Sequence, residues 1–219
     1  MGAYETKAWL AHYPEWTDPN PIVGSDTLVS LFNTAATTHP GRTATWFMGK
    51  TLTYQALNEQ VNRLAAALQR LGVAPGDRVV IALPNCPQHV IAITAILRIG
   101  AVAIEHNPLY TAYELEKQFL DHGARVAIVF DREAETFHTL QETTALETVI
   151  AVNLIDAMPR HLQLALQVPL GSVRSQREEL HKPAPNAIAW ETLVAKPAAP
   201  TDLPSIAQSD TCLLYTSLS

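Results

Sequence analysis

The residues best suited to chemistry lie at the end of the chain and at a few turns inside it. Asp210-Thr211-Cys212-Leu213-Leu214-Tyr215-Thr216-Ser217 reads as an apolar strand running into a hydroxyl-rich turn. Such a turn commonly opens a glycine-rich loop whose backbone N–H groups cradle phosphate. Tyr215, Thr216 and Ser217 would be the entry to such a loop, and no glycine follows them. Elsewhere the chemistry-bearing side chains read more plainly. Eight histidines invite a metal site, yet no pair has ligand spacing, so they read as surface or hydrogen-bonded side chains, His106 beside Asn107 among them. Cys86 stands at a strand terminus without an identifiable base and reads as a small buried side chain. Glu114 and Glu116 could pair as acids, but a capping role accounts for the first and a solvated face for the second. No catalytic residue and no metal ligand is assigned.

Those turns need elements to hold them, and composition supports a packed fold. The chain has 219 residues, 47% of them hydrophobic, enough for a sizeable core. With 15 Lys+Arg against 21 Asp+Glu, the formal charge of -6 provides no basic field, which argues against nucleic acid. Cys86 and Cys212 fit neither a disulfide framework nor a zinc site, and the start of the chain lacks a signal peptide, so a reducing cytosol is expected. No apolar run reaches the roughly 20 residues that span a bilayer. Met1-Gly2-Ala3-Tyr4-Glu5-Thr6 matches the loose myristoylation pattern and is read as chance.

Through the middle, strands and helices alternate. Leu57, Val61, Leu64, Leu68 and Leu71 recur at three and four, one face of a helix over 53–71 that Gly72 stops. Pro75-Gly76-Asp77 turns into the strand Arg78–Leu83, buried on both faces. Pro87 suits the first position of a helix reaching Arg98-Ile99, closed by Gly100. A strand over 101–105 follows. Thr111 and Glu114 form a capping box for a helix ending at Gly123. Arg125–Phe130 is a strand, Asp131 is the expected N-cap of a helix to about Thr144, and 148–152 is another strand.

Strands separated by helices of about ten or more residues imply βαβ crossovers and a mainly parallel sheet covered on both faces. The fold class is α/β. Ligands in such sheets gather beyond the carboxyl ends of the strands, here the turns at Pro84-Asn85-Cys86, His106-Asn107-Pro108 and Phe130-Asp131. None of these turns carries a glycine-rich phosphate motif. From about Leu154 the pattern weakens. Met158 to Leu180 is read as an irregular amphipathic surface excursion, with an interfacial helix as the rival reading. Residues 182–204, rich in Pro and Ala around Trp190-Glu191-Thr192-Leu193, read as a linker.

Three stretches together resemble the acyl-adenylate-forming (AMP-binding) ligases, specifically the bacterial long-chain fatty-acid:CoA ligases of actinobacterial type. Leu52-Thr53-Tyr54-Gln55-Ala56-Leu57 is similar to the family's L-T-Y-x-E-L opening of its first long helix. Leu83-Pro84-Asn85-Cys86-Pro87-Gln88 resembles its strand-ending P-N turn. Asn107-Pro108-Leu109-Tyr110-Thr111 with Glu114-Leu115-Glu116 resembles N-P-L-Y-T-P-R-E-L-E, with Ala112-Tyr113 in place of Pro-Arg. The resemblance covers roughly residues 25 to 211, and Met158–Trp190 is similar to an insertion of the actinobacterial type.

The resemblance implies a two-step reaction. A fatty-acid carboxylate attacks the α-phosphate of Mg-ATP to give acyl-adenylate and pyrophosphate, and coenzyme A thiol then attacks the adenylate. ATP, Mg²⁺ and coenzyme A are thus implied for the full-length family, with fatty acid as substrate. The family's Y-T-[SG]-G-T-T-G-x-x-K-G loop is matched only at Tyr215, Thr216 and Ser217, and Leu218 stands where its first glycine belongs. Residues 1–211 are therefore expected to be the N-terminal part of an adenylation domain whose C-terminal domain is absent. Such a fragment should bind none of these ligands well and should be inactive alone. A non-catalytic α/β module descended from such a ligase, or another acyl- or aryl-CoA ligase, is the alternative. Two readings of residues 212–219 stand: the threshold of the ATP phosphate loop, or a non-native tail, since one frame of a common transposon-end adapter encodes Cys-Leu-Leu-Tyr-Thr-Ser. A cytoplasmic place, at most peripheral at the inner membrane face, is expected, and a homo-oligomer is compatible with the sequence.

Overall fold

The computed structural model describes residues 7–18 and 24–215. Its centre is a six-stranded, all-parallel sheet. β3 (Arg78–Ala82), β4 (Val102–Glu105), β5 (Val126–Phe130) and β6 (Thr148–Val152) form the body, with β7 (Ile188–Ala189) beside β6 and β8 (Leu213–Tyr215) beside β4. The order across the sheet is β7-β6-β5-β3-β4-β8. A separate antiparallel hairpin, β1 (Thr43–Phe47) and β2 (Lys50–Thr53), turns at Met48-Gly49, both at positive φ.

Period-two alternation divides the sheet between two cores. Val79, Ile81, Ala103, Val126, Ile128 and Ile150 face one cluster, packed under α2 (Tyr54–Arg70) and α3 (Pro87–Arg98). The intervening Val80, Ala82, Ile104, Ala127 and Val129 face the other, under α4 (Ala112–His122) and α5 (Ala134–Leu140). Both faces are covered, which is why the strands read as continuous apolar runs. Each expected boundary follows from local chemistry. Thr53 caps α2 by accepting from the Ala56 N–H, and Pro87 opens α3. The Thr111–Glu114 capping box is present, and Gly123, at φ +61°, closes α4. Gly100 is constrained by contact as well as by its φ of +74°: a Cβ there would lie 2.7 Å from Pro204 Cγ.

α1 (Leu28–Thr38), which periodicity did not reveal, has its own capping box between Thr27 and Ser30. It is tied to α2 and α3 by Arg98, whose Nη1 donates to Asn62 Oδ1 (2.6 Å) and Nη2 to Asn33 Oδ1 (2.7 Å). The guanidinium lies 5.4 Å from the Phe32 ring centroid. It is buried, and burial lowers its pKa.

Three expectations need correction. Asp131 does not cap a helix reaching Thr144. It begins a 3₁₀ turn, Asp131–Glu133, and α5 ends at Leu140, because the Asp131 carboxylate is drawn inward to accept from His181 Nδ1 and Lys182 N. The excursion after Leu154 is not irregular: it contains α6 (Arg160–Ala165) and α7 (Gly171–Leu180), neither of which buries a residue. The linker around Trp190 contains β7 and α8 (Trp190–Val194), and Trp190 joins the core. The Met1–Thr6 pattern falls outside the described residues. Among the described residues, no helix is long and apolar enough to cross a membrane.

Candidate functional site

Because every strand of the central sheet runs parallel, their carboxyl ends meet along one edge. β3 delivers Leu83-Pro84-Asn85-Cys86, β4 delivers Glu105-His106-Asn107, β5 delivers Asp131, and β8 delivers Tyr215. Parallel register sets Tyr215 beside Glu105, and the Tyr215 side chain is largely exposed. The strand thus brings Tyr215 to the carboxyl edge of the sheet. Thr216 and Ser217 lie outside the described residues.

The remaining edge groups hold one another. His89, from the first turn of α3, approaches Glu105 Oε1 with its Nε2 at 2.9 Å. That hydrogen bond raises the His89 pKa, outweighing partial burial. His106 turns inward, its Nε2 3.0 Å from Nε2 of His122 at the end of α4. His122 Nδ1 accepts from the Ala124 N–H, so its proton is on Nε2 and is donated to His106. His106 must then carry its proton on Nδ1, a buried atom without a partner. Burial pushes both imidazoles down to about 4, so the pair is neutral at physiological pH. Phe119 packs against both rings, with centroids 5.8 Å and 4.7 Å away.

Asn107 is a turn residue: its Oδ1 accepts from the Leu109 N–H at 3.0 Å. Cys86 is buried and its thiol is pushed up to about 11 by burial, so it is not a nucleophile at neutral pH. Glu114 is engaged in its cap, which holds its carboxyl below the usual range. Among the described residues, no group of three or more His, Cys, Asp or Glu side chains is placed to hold a metal ion. The edge as described positions and supports; its imidazoles and carboxylates are engaged with one another. Sequence reasoning missed the His89–Glu105, His106–His122 and Asp131–His181 pairs. Only the placement of His and acidic residues at strand and helix ends hinted at them.

A family model described as AMP-binding enzyme matches residues 32–217, a span that includes all eight strands. The chain belongs to the AMP-binding enzyme family. Within it, the chain is 35% identical over 153 residues to a long-chain-fatty-acid--CoA ligase of Bacillus subtilis (strain 168), covering 70% of this chain and 27% of that protein. It is 37% identical over 156 residues to the enzyme of the same name from Salmonella typhimurium (strain LT2), covering 69% and 28%. The chain therefore spans about a quarter of the length of these relatives. The fold agrees with a benzoate CoA ligase from Burkholderia xenovorans LB400, at a TM-score of 0.65 and 18% identity over 87% of this chain and 32% of that one. For a family member, the parallel sheet with its Asn107-Pro108-Leu109-Tyr110-Thr111 turn at the carboxyl edge is the expected frame.

Proposed function

We propose that residues 1–211 form part of the adenylation domain of a long-chain fatty-acid:CoA ligase, and that Tyr215, Thr216 and Ser217 open its ATP phosphate loop. The identity of 35% and 37% to two enzymes bearing that name carries the reading. Its substrates would be a fatty acid, ATP and coenzyme A. Mg²⁺ would arrive with ATP as part of the substrate. What this chain supplies is rigidity: β4 and β8, in register, hold the loop opening at the sheet edge, and the Glu105–His89 pair fixes the end of β4. A loop whose backbone N–H groups are fixed in advance stabilises developing phosphate charge without reorganising.

A chimera tests this. The segment of the Bacillus subtilis ligase that matches this chain is replaced by the corresponding residues of this chain, and palmitoyl-CoA formation is measured. Palmitate-dependent activity with little use of 4-coumarate is expected; a folded chimera that prefers the aryl acid, or has no activity, overturns the reading. The 219-residue chain alone is expected to give no palmitate-dependent exchange of pyrophosphate into ATP.

A further inference from the structure

A cavity of about 200 Å³ lies between β2, α2, the start of α3 and α8. Ile91, Trp190 and Val194 provide apolar wall; Gln60, Gln88, Glu191, Asp156 and Lys50 provide the polar one. Gln88 is only 5% exposed, and its Oε1 is buried without a hydrogen-bond partner. Glu191 Oε1 is likewise buried and unpartnered. Unpaired buried acceptors are rare in folded proteins because each loses its hydration without compensation. Two of them on one cavity wall call for a donor.

The charge on that wall narrows the donor's chemistry. Burial pushes the Glu191 carboxyl up to about 7; the Asp156 carboxylate, through its charge and a hydrogen bond that favours the protonated form, and the Asp131 charge add to the rise. A cation would relieve both the orphaned acceptors and the crowding of carboxylates. Lys50, the cation on this wall, donates its Nζ to the Asp156 carbonyl oxygen at 3.1 Å and is engaged there. Metal coordination does not fit, since the described residues offer no cluster of three acidic, His or Cys ligands. The apolar wall suits a short hydrocarbon chain, and the Trp190 ring suits the neighbourhood of a cation.

We propose that this cavity binds a small primary alkylammonium, whose N–H groups donate to Gln88 Oε1 and Glu191 Oε1 while its alkyl chain packs on Ile91, Trp190 and Val194. The site is independent of the ligase reading. Binding displaces the Glu191 proton, so affinity rises as pH rises through the Glu191 titration. Lys50 and Asp156 share the cavity wall with Glu191, and the Asp131 carboxylate, paired with His181, also acts on it.

The full chain is titrated with n-propylammonium chloride at constant ionic strength, following tryptophan fluorescence and Tm, with n-propanol as the neutral counterpart. Saturable one-to-one binding is expected with n-propylammonium and none with n-propanol. From pH 6 to pH 8 the affinity should rise about tenfold. Gln88→Met and Glu191→Gln should each weaken it about tenfold, the effect of losing a charge-assisted hydrogen bond. An equal response to n-propanol, no saturable response from the unsubstituted chain, or undiminished binding by Glu191→Gln overturns the proposal. The first two outcomes do not depend on any variant folding.

Discussion

Phe119 and Leu164 are both large apolar side chains on helices, yet Phe119 is wholly buried and Leu164 is 64% exposed. Phe119 belongs to α4, which lies on the sheet and packs against Phe137, His106 and His122. Leu164 belongs to α6, in the 160–182 excursion, whose two helices contain no fully buried residue. The sheet and its covering helices are held by area removed from water. The excursion is held by polar pins at its end: His181 to Asp131, Arg132 to the Glu179 carbonyl at 2.8 Å, and Lys182 to Glu135 at 3.0 Å. The first kind of attachment is cooperative. The second is local and depends on charge.

Substitutions that cross this divide test it. Phe119→Ala should cost about 3–5 kcal/mol in denaturant unfolding, because it removes a buried ring and leaves a void. A loss under about 1 kcal/mol would mean the second core is not packed as described. Acid should come next. His106 and His122 have folded pKa values near 4, below the ordinary value, so the unfolded chain binds more protons once pH falls below about 6.5. Stability is therefore full above that pH and is lost as pH falls toward 4, by on the order of 2 kcal/mol per imidazole at pH 5. Equilibrium unfolding from pH 7 to pH 5 should show this slope, and the double substitution His106→Leu with His122→Leu should flatten it whatever its baseline stability.

His181→Ala should cost about 1–3 kcal/mol by leaving the Asp131 carboxylate buried without its imidazole. Limited proteolysis should then cut faster within 160–182, while the sheet stays protected; unchanged cleavage would show that the excursion has another anchor. The smallest polar effect is expected at the partly exposed His89–Glu105 pair, under about 1 kcal/mol for His89→Gln. Its sign is opposite to that of the buried pair: with a raised folded pKa, its contribution is present below about pH 6.5 and fades as pH rises through the folded value. Leu170→Ala, on an exposed side chain at the start of α7, should change stability by less than about 0.5 kcal/mol.

The helices and strands from Thr53 to Val152 were readable because their signals are local. The three-and-four spacing of Leu57, Val61, Leu64 and Leu68, Pro87 at a helix start, the Thr111–Glu114 box and Gly123 each act within a few residues. The hairpin was not read, because its turn is Met48-Gly49 and not a stronger turn pair such as Asn-Gly. Asp131 was misread because an acidic residue before a helix looks like a cap, while its actual partner His181 is 50 residues away. The family was legible from residues 52 to 116; the pairs at the sheet edge were not.

By itself, then, the sequence determined an α/β chain with buried parallel strands and a recognisable family turn at Asn107-Pro108-Leu109-Tyr110-Thr111. Periodicity and capping specify which face of an element is buried and where it stops, and both are written within one or two turns of chain. The tertiary structure alone decided the strand order, the parallel register that places Tyr215 beside Glu105, the neutral His106–His122 pair and the cavity over Gln88 and Glu191. Each of these joins residues distant in sequence, and their burial and charge take definite values only when packing has brought them together and excluded water.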